Sequence, residues 1–293
     1  MKSIIEKAQS SFSWFKDLSY KLERDLILNG KTKKTYKCYI RQIASLALHF
    51  KKSPLEVSNE QIADYLFDLQ KSSGLSESYF KSTVYGLRYL FRLHSREDKL
   101  IKLPSLPHKK QLPVILSQQE CKKLFRSSDK FKDRFMLALI YSAGLRMGEL
   151  QKLERMDIDT DRMLLHVRQG KGNKDRYIIL SKLIAAKYGK YCSEYKIDKY
   201  VFPGQKLGNY ISRTTVRKIL KTALLKSGIE KQINTHSLRH SFATHMLENG
   251  IDIVTVKEQL GHSDIQTTMR YLQVARFERK TAVSPLDFLY GIK

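Results

Sequence analysis

The sequence predicts a two-domain fold: an all-α bundle of four helices, then a mostly helical second domain around a small antiparallel β-sheet. Three observations predict it. Apolar residues recur at helical spacing through residues 12–94. The segment LIKLPSLPHKKQLPVIL, from Leu100 to Leu116, holds three of the six prolines and has no helical period, so it reads as an extended linker. Beyond it, the apolar runs MLLHV and RYIIL flank the glycine-rich tip QGKGNKD, the pattern of a β-hairpin. The boundaries follow as 1–97, a linker over 98–116, and 117–293. With 293 residues, 42% of them hydrophobic, the chain can bury a core in each part.

In the first domain, Phe15, Leu18, Leu22 and Leu26 form one stripe, and Gly30 suits the left-handed cap that ends their helix. Tyr36, Ile40, Ile43, Ala47 and Phe50 repeat the pattern. The first turns of that second helix also carry Lys33, Lys34, Lys37 and Arg41. Ser58 with Gln61 makes a capping box for a third helix that buries Ile62, Tyr65, Leu66 and Leu69. The fourth, from Glu77 to His94, turns Phe80, Val84, Leu87 and Phe91 inward and leaves Lys81, Arg88 and Arg92 for solvent or phosphate.

The second domain opens with another capping box, Ser117 with Glu120. A buried helix over Phe131–Ala143 then ends at Gly144, the hairpin follows, and helical patterns resume from Ser181. Near the end, Gly261 closes one helix, and Ser263 with Gln266 is expected to cap the next. That places Tyr271 about two turns into a helix.

Charge narrows the partner. Lys and Arg number 54 against 29 Asp and Glu, a formal net charge of +25, so a partner of dense negative charge is expected. Ribosomal and membrane-surface proteins are as basic, and motifs must decide between them. Cys38, Cys121 and Cys192 are too far apart for a C-x-x-C pair, which argues against a zinc knuckle or disulfide framework and for a reducing cytoplasm. No apolar run approaches a membrane span, and the start reads as untargeted.

Four motifs carry the chemistry: SAGLRMGEL from residue 142, the tip GKGNKDR, then THSLRHSFATHML and LGHSDIQTTMRYL. Their order and spacing closely resemble the tyrosine recombinase, or phage integrase, family, including its Xer and integron branches. The resemblance spans the second domain. The first matches the family's SAM-like core-binding domain in general pattern.

The resemblance implies strand cleavage by Tyr271 through a covalent 3′-phosphotyrosyl link, and exchange through a Holliday junction without metal, ATP or other cofactor. A phenol suits the task, because it can attack a phosphate and later be displaced from it. Arg146 and Arg239 would hold the non-bridging oxygens as charge builds on them. His262 would hydrogen-bond the same phosphate, His236 would take the phenol's proton, and Glu149 would orient a neighbouring cation or histidine. Lys171 would protonate the departing 5′ oxygen, with Lys174 the competing lysine on the same tip. His236 and Arg239, three apart, share a helix face.

Other readings are weaker. The tip lacks the P-loop pattern and the dinucleotide fingerprint. His236, His240 and His245 lack the Glu that a metalloprotease helix needs, so His240 and His245 read as packing or surface residues. Met147, Gly148 and Arg270 depart from common family residues without removing a catalytic group. The expected partners are double-stranded recombination sites gripped by both domains of a homotetramer, with room for a related recombinase or accessory protein. Pro285, Leu286, Phe288 and Leu289 are expected to dock either on a neighbour or on their own domain. The rival functions are a type IB topoisomerase-like relaxing enzyme and a non-catalytic DNA-binding protein.

Overall fold

A computed structural model describes residues 3–72, 77–100, 112–168, 175–206 and 208–275. It divides into two compact units, Met1–Lys109 and Lys110–Lys293, each with its own apolar cluster.

The first unit contains α1 (Ile4–Ser11), α2 (Trp14–Leu28), α3 (Lys33–Phe50), α4 (Asn59–Lys71) and α5 (Glu77–Leu93). The four expected helices are α2 to α5, and their predicted stripes are the core: Phe15, Leu22, Leu26, Ile40, Ile43, Ile62, Val84, Leu87 and Phe91 are buried. The Ser58–Gln61 capping box is present on α4. Helix α1 is an addition. Ser3 and Glu6 cap it reciprocally and Ala8 is buried, so a short amphipathic segment gains enough from capping and packing to hold a helix. On α3, Lys33, Lys37 and Arg41 recur every four residues and are exposed, as is Lys34, whereas Lys81 and Arg88 on α5 are half-buried. Lys81 pairs with Glu77 at 2.6 Å. The unit closes with a 3₁₀ turn, Glu97–Lys99, in which buried Lys99 donates to the Val57 carbonyl at 2.6 Å.

The second unit begins at α6 (Gln118–Arg126), capped by Ser117 and Glu120, and continues through α7 (Phe131–Ser142) and α8 (Met147–Lys152). Three short strands follow: β1 (Ile158–Asp159), β2 (Leu164–Val167) and β3 (Arg176–Ile179). They form an antiparallel sheet in that order, and Leu165 pairs with Ile178 on its buried face. The expected hairpin is β2–β3; strand β1 is extra, and too short to show a periodicity of its own. Among the described residues, helices α9 (Lys182–Glu194), α10 (Arg213–Ser227), α11 (Thr235–Glu248), α12 (Ile253–Leu260) and α13 (Gln266–Met269) follow.

Helix α11 packs against both α7 and α12. It has buried residues all round, including Leu238, Arg239, Ser241, Ala243, Thr244 and Leu247, as an enclosed helix should. Leu116, just before α6, is tied to it: its N–H donates to Ser241 Oγ at 2.9 Å.

The last segment corrects two expectations. Asp264, not Ser263, accepts the Gln266 N–H, at 2.9 Å, and the helix begins two residues later than expected, after Ile265 and without a side-chain cap from it. Helix α13 spans four residues only, and Tyr271 lies in the turn beyond it rather than two helical turns inside. Lys171 and Lys174 fall outside the described residues, as do Pro285, Leu286, Phe288 and Leu289. Among the described residues no helix is long and apolar enough to cross a membrane.

The two faces of α2 set a contrast in stability. Leu22→Ala removes a fully buried side chain from the first cluster and is expected to cost about 2–5 kcal/mol. Ile27→Ala, on a residue 60% exposed, should stay within about 0.5 kcal/mol. Urea unfolding of both variants checks the difference.

Candidate active site

Two helix C-termini build the site. Helix α7 gives way to Gly144, whose φ is +55°, and α12 to Gly261, whose φ is +61°. Both need glycine: a Cβ on Gly144 would lie 2.5 Å from the Phe242 ring, and one on Gly261 would lie 2.8 Å from the Arg176 side chain. The last carbonyls of a helix are unpaired and sit at its negative end, so they attract cations. Here they receive guanidiniums. Arg239, on α11 and only 3% exposed, donates to the carbonyls of Gly144 and Leu260, each at 2.6 Å. Arg146 donates to the Gly261 carbonyl at 3.0 Å.

Glu149 joins the arginines. Arg146 precedes α8, and the Glu149 carboxylate accepts its backbone N–H and its guanidinium, both at 2.8 Å. The other face of the carboxylate takes a two-pronged pair from Arg176 at the start of β3, both contacts 2.9 Å. Arg239 stands 4.0 Å away. Burial alone would raise the Glu149 pKa, but the Arg176 and Arg146 contacts outweigh it and hold the acid at about 2. Three guanidiniums around one carboxylate leave positive charge in excess, suited to a phosphate.

His262 follows Gly261 and sits against Arg239, whose Nη2 donates to its Nε2 at 3.0 Å. Since arginine only donates, Nε2 carries the lone pair, and Nδ1–H donates to Thr268 Oγ1 at 2.8 Å. Burial, then the charges of Arg239, Arg146, Arg270 and Arg176, pull the His262 pKa to about 3, so the ring is neutral. Tyr271 is 1% exposed, lies 6.4 Å from the His262 ring in near-parallel orientation, and packs with Ala243, Leu247, Val256 and Leu260. Burial raises its pKa, opposed by Arg239, Arg270 and Arg146, so the phenol is protonated at rest.

The structure therefore gathers Arg146, Glu149, Arg239, His262 and Tyr271 around one point. His236 is near but apart. It lies exposed on the otherwise buried first turn of α11, where the Asn234 side chain caps the helix, and its pKa is lowered by partial burial, Arg239 and Arg146. The residue in contact with the phenol is His240, which the sequence placed among packing or surface residues: its Nδ1 lies 2.9 Å from the Tyr271 hydroxyl. Its ring packs on that of Tyr271, 5.5 Å away, but a contact across 31 positions leaves no periodic trace by which the sequence could name the partner. His245 does pack, bonded to Tyr141 at 2.8 Å. Arg176 and Thr268 were also unforeseen, although Arg176 stands in the quoted motif GKGNKDR. Among the described residues no cluster of three or more His, Cys, Asp or Glu forms a metal site.

The chain is similar to known proteins in both units. The model of the phage integrase family matches residues 109–277, and that of the phage integrase N-terminal SAM-like domain matches 18–98. Tyrosine recombinase XerA of Pyrococcus furiosus is 34% identical over 274 residues, 91% of this chain and 93% of the relative. Tyrosine recombinase XerD of Listeria innocua is 32% identical over 279 residues, 87% of this chain and 93% of the relative. In fold, a lambda integrase tetramer bound to a Holliday junction matches with a TM-score of 0.68 at 20% identity, over 88% of this chain and 76% of that one.

The Glu149 cluster predicts an acid limb in stability. Folding lowers the carboxyl pKa from 4.5 to about 2, so the stabilisation is full above pH 4.5 and is lost as pH falls from there through about 2. Glu149→Gln should forfeit on the order of 3 kcal/mol at pH 7 and flatten the stability profile over that window. Urea unfolding between pH 2 and 7 measures both, and an unchanged slope would rule out the pairing.

Proposed function

This chain belongs to the phage integrase family, and on that premise we propose that it is a site-specific DNA recombinase that cleaves and rejoins duplex DNA through a 3′-phosphotyrosyl link to Tyr271. The observation that carries the reading is the juxtaposition of a buried, protonated phenol with a cluster whose guanidiniums exceed its carboxylates.

In this reading Arg146 and Arg239 hold the non-bridging oxygens of the scissile phosphate. Helix-end carbonyls already orient both forks, so little reorganisation accompanies the transition state. Arg239 now occupies His262 Nε2; when a phosphate takes Arg239, the Thr268 hydroxyl donating to Nδ1 selects the other neutral tautomer, whose Nε2–H donates to the phosphate. Glu149 and Arg176 hold Arg146 in place. Lys171, or Lys174 on the same tip, protonates the departing 5′ oxygen, and the resemblance assigns the phenol's proton to His236. Energy is conserved in the phosphotyrosine, which the 5′ hydroxyl of a partner duplex displaces.

Lys33, Lys34, Lys37 and Arg41, with Lys81 and Arg88, contact DNA phosphates from the first unit, so affinity falls with salt. Exchange takes place in a homotetramer on paired sites, through a Holliday junction, with a related recombinase or accessory protein joining some assemblies. The lambda integrase structure is such a tetramer on a junction. Work on chromosomal or mobile DNA of this kind places the protein in the cytoplasm.

A nicked suicide duplex carrying a candidate site tests the reading. Wild type should form a denaturation-resistant protein–DNA adduct and Tyr271→Phe none. An adduct with the Phe variant would move the nucleophile elsewhere. Plasmid relaxation without exchange between partner sites would indicate a topoisomerase, and full function in Tyr271→Phe a non-catalytic DNA-binding protein.

A further inference from the structure

The contact between His240 and Tyr271 is unexplained by the roles above. A hydroxyl as buried as that of Tyr271 needs a hydrogen-bond partner, and any backbone carbonyl would serve that need. The fold instead supplies an imidazole, which can hold a proton. The His240 and Tyr271 rings lie 5.5 Å apart at 49°, with Nδ1 2.9 Å from the phenol oxygen. The His236 ring, 6.4 Å from that of His240, lies one turn away on the same helix.

We propose that His240, resting on the recombinase reading above, is the base that takes the Tyr271 proton during cleavage and returns it during rejoining. His240 follows Arg239 directly on α11, so one rigid helix, clamped by the Arg239 contacts, sets both the phosphate-holding fork and the base. As the phenol oxygen bonds to phosphorus, its O–H bond breaks and the proton passes to Nδ1. The bond from phosphorus to the 5′ oxygen breaks in turn, and the leaving oxygen takes a proton from the hairpin lysine. Rejoining reverses each transfer: the incoming 5′ hydroxyl gives its proton to the lysine, and the departing phenolate recovers one from His240.

The groups facing His240 are Tyr271, Arg270, His236 and Arg239. Burial first, then the charges of Arg270, His236 and Arg239, lower its pKa to about 4, so its lone pair is available at neutral pH. A DNA phosphate arriving at Arg239 offsets that positive charge and strengthens the base. Proton abstraction is thereby favoured once substrate is in place.

Single-turnover cleavage of the suicide duplex, followed against pH, tests this. A base must be unprotonated, so the wild-type rate falls on the acid side. His240→Asn puts a non-titrating acceptor at the Nδ1 position. It should slow cleavage about 10²- to 10⁴-fold and lose the acid limb while still binding the duplex. Replacing the bridging 5′ oxygen by sulfur, which leaves without an acid, should rescue Lys171→Ala but not His240→Asn. Cleavage by His240→Asn within about threefold of wild type, with the acid limb intact, overturns the proposal. If His240→Asn does not fold, His236→Asn decides: an acid limb that survives in it supports His240, and one that vanishes overturns the proposal in favour of His236. A wild type that binds duplex yet forms no adduct overturns the recombinase reading itself.

Discussion

The buried carboxylate of Glu149 is the interaction on which the site depends. It joins α8 to β3 by holding Arg146 and Arg176 together, with Arg239 from α11 at 4.0 Å. Three guanidiniums this close would repel one another in a low dielectric without an anion among them. The carboxylate makes the cluster stable enough to fold, yet leaves it short of negative charge. That residual deficit is the driving force for taking up a phosphate.

Helix ends share the load. Carbonyls at or just beyond the ends of α7 and α12 point at Arg239 and Arg146. Gly144 and Gly261 permit the left-handed exits that aim them, and each lies so close to a neighbouring side chain that a Cβ would collide. The arginines thus satisfy helix termini before any ligand arrives and are already oriented for it. The same arrangement explains the neutral histidines: His240 and His262, half-buried among fixed cations, stay uncharged at rest.

Much of this was legible in the chain. The stripe Phe15, Leu18, Leu22, Leu26 became the buried face of α2, and the capping boxes at Ser58 and Ser117 formed as expected, because each depends on neighbours three or four residues apart. Arg146, Glu149, Arg239, His262 and Tyr271 were found through motif order and do converge. Misreadings occurred where a local rule had a near competitor or where the partner was remote. Asp264 offered a carboxylate one residue after Ser263, and took the Gln266 N–H in its place. His240 does pack, on Tyr271, but that partner lies 31 positions away and no local rule names it.

By itself the sequence determined what short-range physical chemistry controls: helix stripes, caps, glycine exits, the hairpin, the basic balance and the motifs that mark the family. Tertiary structure decided which of those groups meet. Arg176 pairs with Glu149 across 27 positions, Thr268 orients His262, and the phenol of Tyr271 is enclosed on α11 and α12 beside His240 rather than His236. Such contacts are selected by the packing of whole helices. A side chain's chemistry is written in its residue type, but its partner is set by the backbone that brings the two within hydrogen-bond reach.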